Sequence, residues 1–117
     1  MPPQTLDPIN LLDVVPDVLF AKLITTAAAT QQQQVAAVAG KKIRVLSYVL
    51  TSQGANNLAF RSAANDITGL LAFAASGEKV AAPFNPAGHF ETVAGEALNT
   101  ISSGAVIMGG HVAYILV

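Results

Sequence analysis

The feature that most constrains the fold is a series of short apolar stretches separated by turn residues. From Val18 onward, segments rich in β-branched and aromatic residues are interrupted by Gly, Asn, Ser or Pro about every 8–12 residues. Seven to nine short strands with this spacing, and no long helical pattern, are typical of antiparallel sandwiches and jelly rolls. We therefore expect an all-β protein: an antiparallel β-sandwich of jelly-roll type over residues 18–117, preceded by an extended N-terminal arm over residues 1–17.

The clearest strand pattern covers residues 41–52. Both of its faces are substantially apolar, which predicts a central strand, or one with a face on the core and the other against a partner. Simple alternation places Ser47 on the core side. The two faces would carry Ile43, Val45, Ser47, Val49 and Thr51 on one side, and Arg44, Leu46, Tyr48 and Leu50 on the other.

The other predicted strands are less distinct. Asn65 and Asp66 are predicted to form a turn, and residues 76–79 a hairpin-like connection. The pair Gly109–Gly110 indicates a bulge or a close approach of two backbones. The four glutamines that begin at Gln31 are interpreted as the start of a strand. Further strands are predicted at 18–29, 58–63, 70–75, 80–84, 97–102 and 105–117.

The first 17 residues combine proline with aliphatic side chains. Prolines at positions 2, 3, 8 and 16 leave room for only a brief helix. A disordered tail is seldom so rich in large apolar residues. The segment could fold back on its own domain, dock on a neighbouring subunit, or remain a flexible tail. The aliphatic residues predicted to form an interface here are Leu6, Ile9, Leu11, Leu12, Val14 and Val15.

Composition limits the classes of partner. The net charge is -1, and charged residues make up 11% of the chain, against about 25% in an average soluble domain. A balance this even does not suit bulk electrostatic binding to nucleic acid or anionic lipid. Hydrophobic residues make up 52%, no apolar run resembles a membrane span, and the N-terminus lacks the pattern of a signal peptide. The sequence predicts a surface covered in part by other subunits, with no nucleic-acid and no membrane partner.

Catalytic and metal-binding patterns are weak. The chain has no cysteine and only two histidines, His89 and His111, and no serine has the context of a nucleophile. His89 and Glu91 form one fragment of a cupin-like metal motif, but the further ligands are missing at the expected spacing. His111, within an apolar strand, is predicted to be a packed core or interface histidine. We expect no catalytic residue, no metal, no cofactor and no small-molecule substrate.

The segment 81–98, AAPFNPAGHFETVAGEAL, has the composition of a loop with a defined role. Two prolines restrict its backbone, and Gly88 provides freedom between them and the next strand. The segment could be a rigid structural corner, a loop that contacts a partner, or a catalytic loop. Its candidate interface residues are Phe84, His89 and Phe90.

A run of motifs over residues 35–117 resembles small virion proteins of tailed bacteriophages. The motifs are the strand start AVAGKKIRV, the stretch LAFRSA followed by ITGLL, the corner PFNPAG, the stretch FETVAGEALN and a closing apolar strand. Residues 1–34 carry no motif of this pattern. The resemblance implies a jelly-roll β-sandwich with a structural role on the outer surface of the virion capsid.

Within that resemblance, the expected function is that of a head decoration, or cement, protein. Such a protein would bind as a homo-oligomer, most simply a trimer, to the major capsid protein and stabilise the head. The alternatives are a receptor- or carbohydrate-binding module of a tail or fibre, and a small cupin-like enzyme.

Overall fold

A computed structural model describes residues 17–25 and 30–117, and in these residues ten antiparallel strands form two sheets that pack face to face. This confirms the all-β antiparallel sandwich; the jelly-roll type remains a prediction. The predicted arm lies outside the described residues except for Asp17. The strands are β1 (Leu19–Thr25), β2 (Gln31–Val35), β3 (Ile43–Ser52), β4 (Asn56–Ser62), β5 (Asn65–Asp66), β6 (Leu71–Phe73), β7 (Lys79–Ala82), β8 (Phe90–Glu91), β9 (Leu98–Ser102) and β10 (Met108–Leu116).

Each sheet has five strands. Sheet A has the order β1-β10-β3-β7, and β8 also pairs with β3; sheet B has the order β2-β9-β4-β5, and β6 also pairs with β4. The long segment 41–52 therefore supplies a central strand, as its two apolar faces predict. The chain passes between the sheets repeatedly, so neighbours in sequence are often on opposite layers of the sandwich. Among the described residues, no helix is long and apolar enough to cross a membrane.

The core fills the space between the sheets. Sheet A contributes Leu23, Leu50 and Met108, and sheet B contributes Phe60 and Leu98, all at most 1% exposed. The ring of Tyr48 meets Phe60 edge-on, with 5.3 Å between ring centroids. Aliphatic and aromatic side chains of both layers thus exclude water from one continuous interior, which is the main source of stability for such a fold.

A β-bulge at Leu46 changes the faces predicted for β3. Tyr114 of β10 pairs with Val45, while the preceding Ala113 pairs with Ser47, so Leu46 is the extra residue. Ile43 and Val45 therefore share the core face with Tyr48 and Leu50. The predicted core position of Ser47 is wrong, and Val49 and Thr51 also lie on the outer face with it. A strict period of two cannot anticipate an inserted residue.

The prediction of a close backbone approach at Gly109–Gly110 is confirmed at Gly110. A Cβ atom on Gly110 would overlap the carbonyl oxygen of Val49 on the neighbouring strand. Only glycine fits this point of contact between β10 and β3.

Two predicted connections differ in the structure. The turn after β4 is formed by Ala63 and Ala64, and Asn65–Asp66 instead form the short strand β5. Ala63 has a φ of 51°, and its carbonyl oxygen accepts a hydrogen bond from Asn99 Nδ2 at 2.8 Å. Residues 76–79 do not close a hairpin, because β6 pairs with β4 in sheet B while β7 pairs with β3 in sheet A.

The glutamine run forms an edge strand, as predicted, and its last member joins the two sheets. Gln34 is the extra residue of a second bulge, where β2 pairs with β9. Its side-chain amide accepts a hydrogen bond from Ile24 N at 3.1 Å and donates to Ile24 O at 2.9 Å. It also donates to Thr100 Oγ1 at 2.9 Å. Gln34 thus closes the open edge of β1 at one point with the geometry of a strand pair.

Candidate functional site

Large apolar side chains are exposed along one edge of the outer face of sheet A. On the edge strand β1, Phe20 is 74% exposed and Ile24 58% exposed, and both point away from the core face that holds Leu23. The neighbouring strand β10 offers the small residues Gly109 and Ala113 opposite them. Large apolar side chains beside a flat patch of small residues are typical of a surface that another protein covers.

The outer face of sheet B has the opposite character. Arg61 forms an ion pair with Asp66, with 2.6 Å between Nε and Oδ1, and donates from Nη1 to Gln31 Oε1 at 3.1 Å. Asn99 and Gln33 also lie on this face, opposite each other in the β2–β9 pair. Arg61, Asp66 and Gln31 satisfy one another, whereas Asn99 Oδ1 is buried with no hydrogen-bond partner among the described residues. The two outer faces therefore differ: the exposed large apolar side chains Phe20 and Ile24 lie on sheet A.

Strands β7 and β8 share the edge position next to β3 in sheet A. Residues 83–89, here called the corner, connect these two strands. Before the corner, β7 pairs with β3 at Tyr48, and after it β8 pairs with β3 at Val45. The corner therefore loops out opposite the bulge at Leu46. Asn85 N donates to Leu46 O at 2.9 Å and His89 N donates to Val45 O at 2.8 Å, so bulge and corner satisfy each other's backbone groups.

Several contacts hold the corner in one conformation. Asn85 accepts hydrogen bonds from Ala87 N on Oδ1 at 3.0 Å and from Gly88 N on its carbonyl oxygen at 2.9 Å. Gly88 has a φ of 86°, and a Cβ there would lie 2.5 Å from Cγ of Arg44. His89 Nε2 lies 2.7 Å from Pro83 O, and since a carbonyl can only accept, this nitrogen carries the proton. The segment is a braced structural corner, one of the alternatives that the sequence left open.

A small charge cluster fixes the start of β3 against β8. Glu91 lies 3.2 Å from Lys42 Nζ and 3.0 Å from Arg44 Nη2. The hydrogen bond from Lys42, together with the nearby Arg44 guanidinium, lowers the pKa of Glu91 against the opposing effect of partial burial. The basic residues near position 42 thus hold the strand start in place, and Glu91 is engaged as an ion-pair partner.

An apolar groove of about 330 Å³ lies on the outer face of sheet A, between the corner and the start of β1. Leu46 and Ile115 are buried in it at 2% and 8% exposure although both lie on the outer side of the sheet. Arg44 stands at its charged rim. The apolar residues that line the groove are Val18, Leu46, Phe84, Pro86, Ile115 and Val117.

The three interface candidates of the corner region lie in different environments. Phe84 is 61% exposed and lines the groove. Phe90 turns inward, where its ring lies 4.8 Å from that of Phe60 and 5.8 Å from that of Tyr48. His89 is exposed and braces the corner as described. The six aliphatic candidates of the arm, Leu6, Ile9, Leu11, Leu12, Val14 and Val15, lie outside the described residues.

The chemical candidates do not converge. His111 is exposed on the outer face of sheet A, between Lys22 and Val49, so the core alternative predicted for it is wrong and the interface alternative stays a prediction. Glu96 is engaged elsewhere, since it accepts a hydrogen bond from Ser62 Oγ at 2.6 Å. In the part of the chain that the structure describes, no group of three or more His, Cys, Asp or Glu side chains could hold a metal ion.

Reasoning from the sequence missed Phe20 and Ile24, the two most exposed apolar residues of β1. The signal was present: Val18, Phe20, Lys22 and Ile24 alternate with Leu23 and its neighbours, so one face of the strand holds large apolar residues beside a charge. The segment was recognised as a strand, but nothing in it distinguished the face toward the core from the outer face.

Comparisons with known proteins found no matching family, no similar curated protein and no similar solved structure. The resemblance to bacteriophage virion proteins therefore stays a prediction.

Proposed function

We propose that the protein is a homo-oligomeric structural protein of a virion, a trimeric decoration protein that binds the outer face of a phage head. The observation that carries the proposal is the difference between the two outer faces of the sandwich. Sheet A exposes Phe20 and Ile24, whereas the outer face of sheet B carries the ion pair of Arg61 with Asp66 and the hydrogen bond of Arg61 to Gln31. A sandwich with one adhesive side is suited to attachment to a large surface.

The mechanism is binding without turnover. Docking of sheet A on capsid protein and on sister copies would remove apolar surface from water, at about 25 cal/mol for each Å². The polar and charged side chains on this face, Lys22 and His111 among them, would fix register and orientation more than they add affinity. Copies that each contact neighbouring capsid subunits would link them and oppose the pressure of packaged DNA.

The test is cosedimentation of the purified protein with undecorated heads of the virus that encodes it. The proposal predicts saturable binding with copy numbers in multiples of three. Replacing Phe20 or Ile24 with Asp should weaken binding at least about ten-fold, because burying one such side chain contributes about 1.5–3 kcal/mol.

Leu70→Asp is the matched control, since Leu70 is 67% exposed and adjoins β6 of sheet B. Thermal melts of all variants check that they fold. Absence of wild-type binding to heads would overturn the capsid role. If Leu70→Asp and Phe20→Asp lost equal amounts of binding affinity for heads, the assignment of sheet A as the binding face would be overturned. Tight binding to a glycan instead of to heads would favour the tail or fibre module.

A further inference from the structure

We propose that the groove on the outer face of sheet A is occupied by the N-terminal segment of the same chain, residues 1–16. The proposal goes beyond the capsid role and does not depend on it, because both the site and its occupant belong to one chain. It commits to the chain's own segment, and occupation by the segment of a second copy is an outcome of the test.

Residues 1–16 are the nearest candidate to fill the groove, because the described part of the chain begins beside it. Val18 itself lines the groove, and β1 leaves it toward the opposite end of the sheet. From β1 to the corner is three strand spacings of about 4.8 Å, or roughly 14 Å. An extended chain covers that in about four to five residues at roughly 3.3 Å each. Allowing for a reversal of direction, residues near Leu11 and Leu12 reach Phe84.

The composition of the segment fits an apolar groove. Six large aliphatic residues lie between positions 6 and 15, and none of the first 17 residues is basic or aromatic. The groove presents Leu46 and Ile115 at its base and Phe84 at its wall, with no acidic side chain among its lining residues. Because the segment is tethered at the rim, its effective concentration at the groove is of millimolar order, so modest contacts are enough to fill it.

Charge adds a second, independent complementarity. Three of the seven acidic residues of the chain, Asp7, Asp13 and Asp17, lie in the first 17 residues, and all six basic residues lie after them. Arg44 stands at the rim of the groove, and Lys41 lines the adjoining hollow with Asp17. Among the described residues Lys41 has no ion-pair partner, whereas Arg44 is also paired with Glu91. An acidic, aliphatic segment therefore meets a basic rim and an apolar floor.

Cysteine cross-linking tests the placement in the full chain, which has no native cysteine. The variant Leu12→Cys with Phe84→Cys is oxidised, and the disulfide is detected by mass spectrometry and on non-reducing gels. The matched control is Leu12→Cys with Leu70→Cys, because Leu70 and Phe84 are 67% and 61% exposed and Leu70 adjoins sheet B.

The proposal predicts a disulfide within one chain that forms at least about ten-fold faster at position 84 than at position 70. Adding Asp13→Lys to the first variant should slow the reaction, since it reverses one charge that faces the basic rim. Equal rates at the two positions would overturn the proposal. A disulfide found only between two chains, in a mixture of the two single-cysteine variants, would also overturn it and assign the groove to a second copy.

Discussion

Gly110 stands where the backbones of β10 and β3 come too close for a side chain. A Cβ on this residue would overlap Val49 O, whereas a Cβ on the adjacent Gly109 would come no nearer than 4.0 Å to Leu23 O. Gly110→Ala should therefore cost about 1–3 kcal/mol of unfolding free energy, the usual range for overpacking. Gly109→Ala should be neutral or slightly stabilising, since it reduces the entropy of the unfolded chain. Urea unfolding of both variants checks this, and equal effects would contradict the close approach.

Glu91 predicts a dependence of stability on pH. Its pKa is lowered in the folded protein, so its ion pairs stabilise the fold above the ordinary carboxyl pKa of 4.5. That contribution is lost as pH falls through the lowered value, because both states are then protonated. The pairs are partly exposed, so the expected difference between wild type and Glu91→Gln is under about 1 kcal/mol near neutrality, vanishing at low pH. Parallel unfolding curves for the two proteins between pH 2.5 and 7 would contradict it.

Single residues also show where the sequence could and could not predict the structure. The glycine pair predicted a close approach of two backbones, because the Cβ atom of any other residue would clash there. The environments of Phe84 and Phe90 could not be separated, since each follows a turn signal in the same loop. Only the pairing of β8 with β3 turns Phe90 toward Phe60 while Phe84 stays outside.

At the scale of elements, the strands were predictable and their faces were not. Local composition predicted most strand positions, and β3 as a central strand was expected from its two apolar faces. The bulge at Leu46 reverses the alternation, and it depends on the corner that satisfies Val45 O and Leu46 O from 40 residues away in sequence. A contact so distant leaves no trace in the local pattern.

The brace between β1 and β2 gives a prediction for edge strands. Gln34→Glu retains the length of the side chain but loses the amide donor to Ile24 O and Thr100 Oγ1. We expect a loss of about 1–2 kcal/mol, because hydrogen bonds and their partners are left unsatisfied. Native-state hydrogen exchange should also accelerate at the Ile24 amide, because repulsion between the new carboxylate and Ile24 O displaces the side chain that accepts the hydrogen bond from Ile24 N.

Gln33→Glu is the control for this brace. Gln33 is exposed on the outer face of sheet B, in the same strand, and among the described residues no hydrogen bond joins it to β1. If both substitutions changed exchange at Ile24 equally, the effect would come from added charge, and Gln34 would not act as a brace.

For the molecule as a whole, charge and apolar surface are divided unevenly. The acidic, aliphatic N-terminus precedes a body that holds every basic residue, and in that body Phe20 and Ile24 are exposed on the outer face of sheet A. The low charge of the chain predicts a surface covered by other subunits, and this stays a prediction; composition alone does not distinguish the two sheets. The strands of the two sheets have similar compositions. Their outer faces can be told apart only in the folded protein, where Arg61, Asp66 and Gln31 contact one another on sheet B.

The central claim is that other proteins cover the outer face of sheet A. The most direct measurement is an image reconstruction of decorated heads at a resolution that separates the two sheets. The account predicts three copies around each binding site, with Phe20 and Ile24 of β1 buried against capsid protein or a sister copy. Heads that carry the protein with sheet A facing solvent and sheet B attached would contradict it, as would heads that carry none.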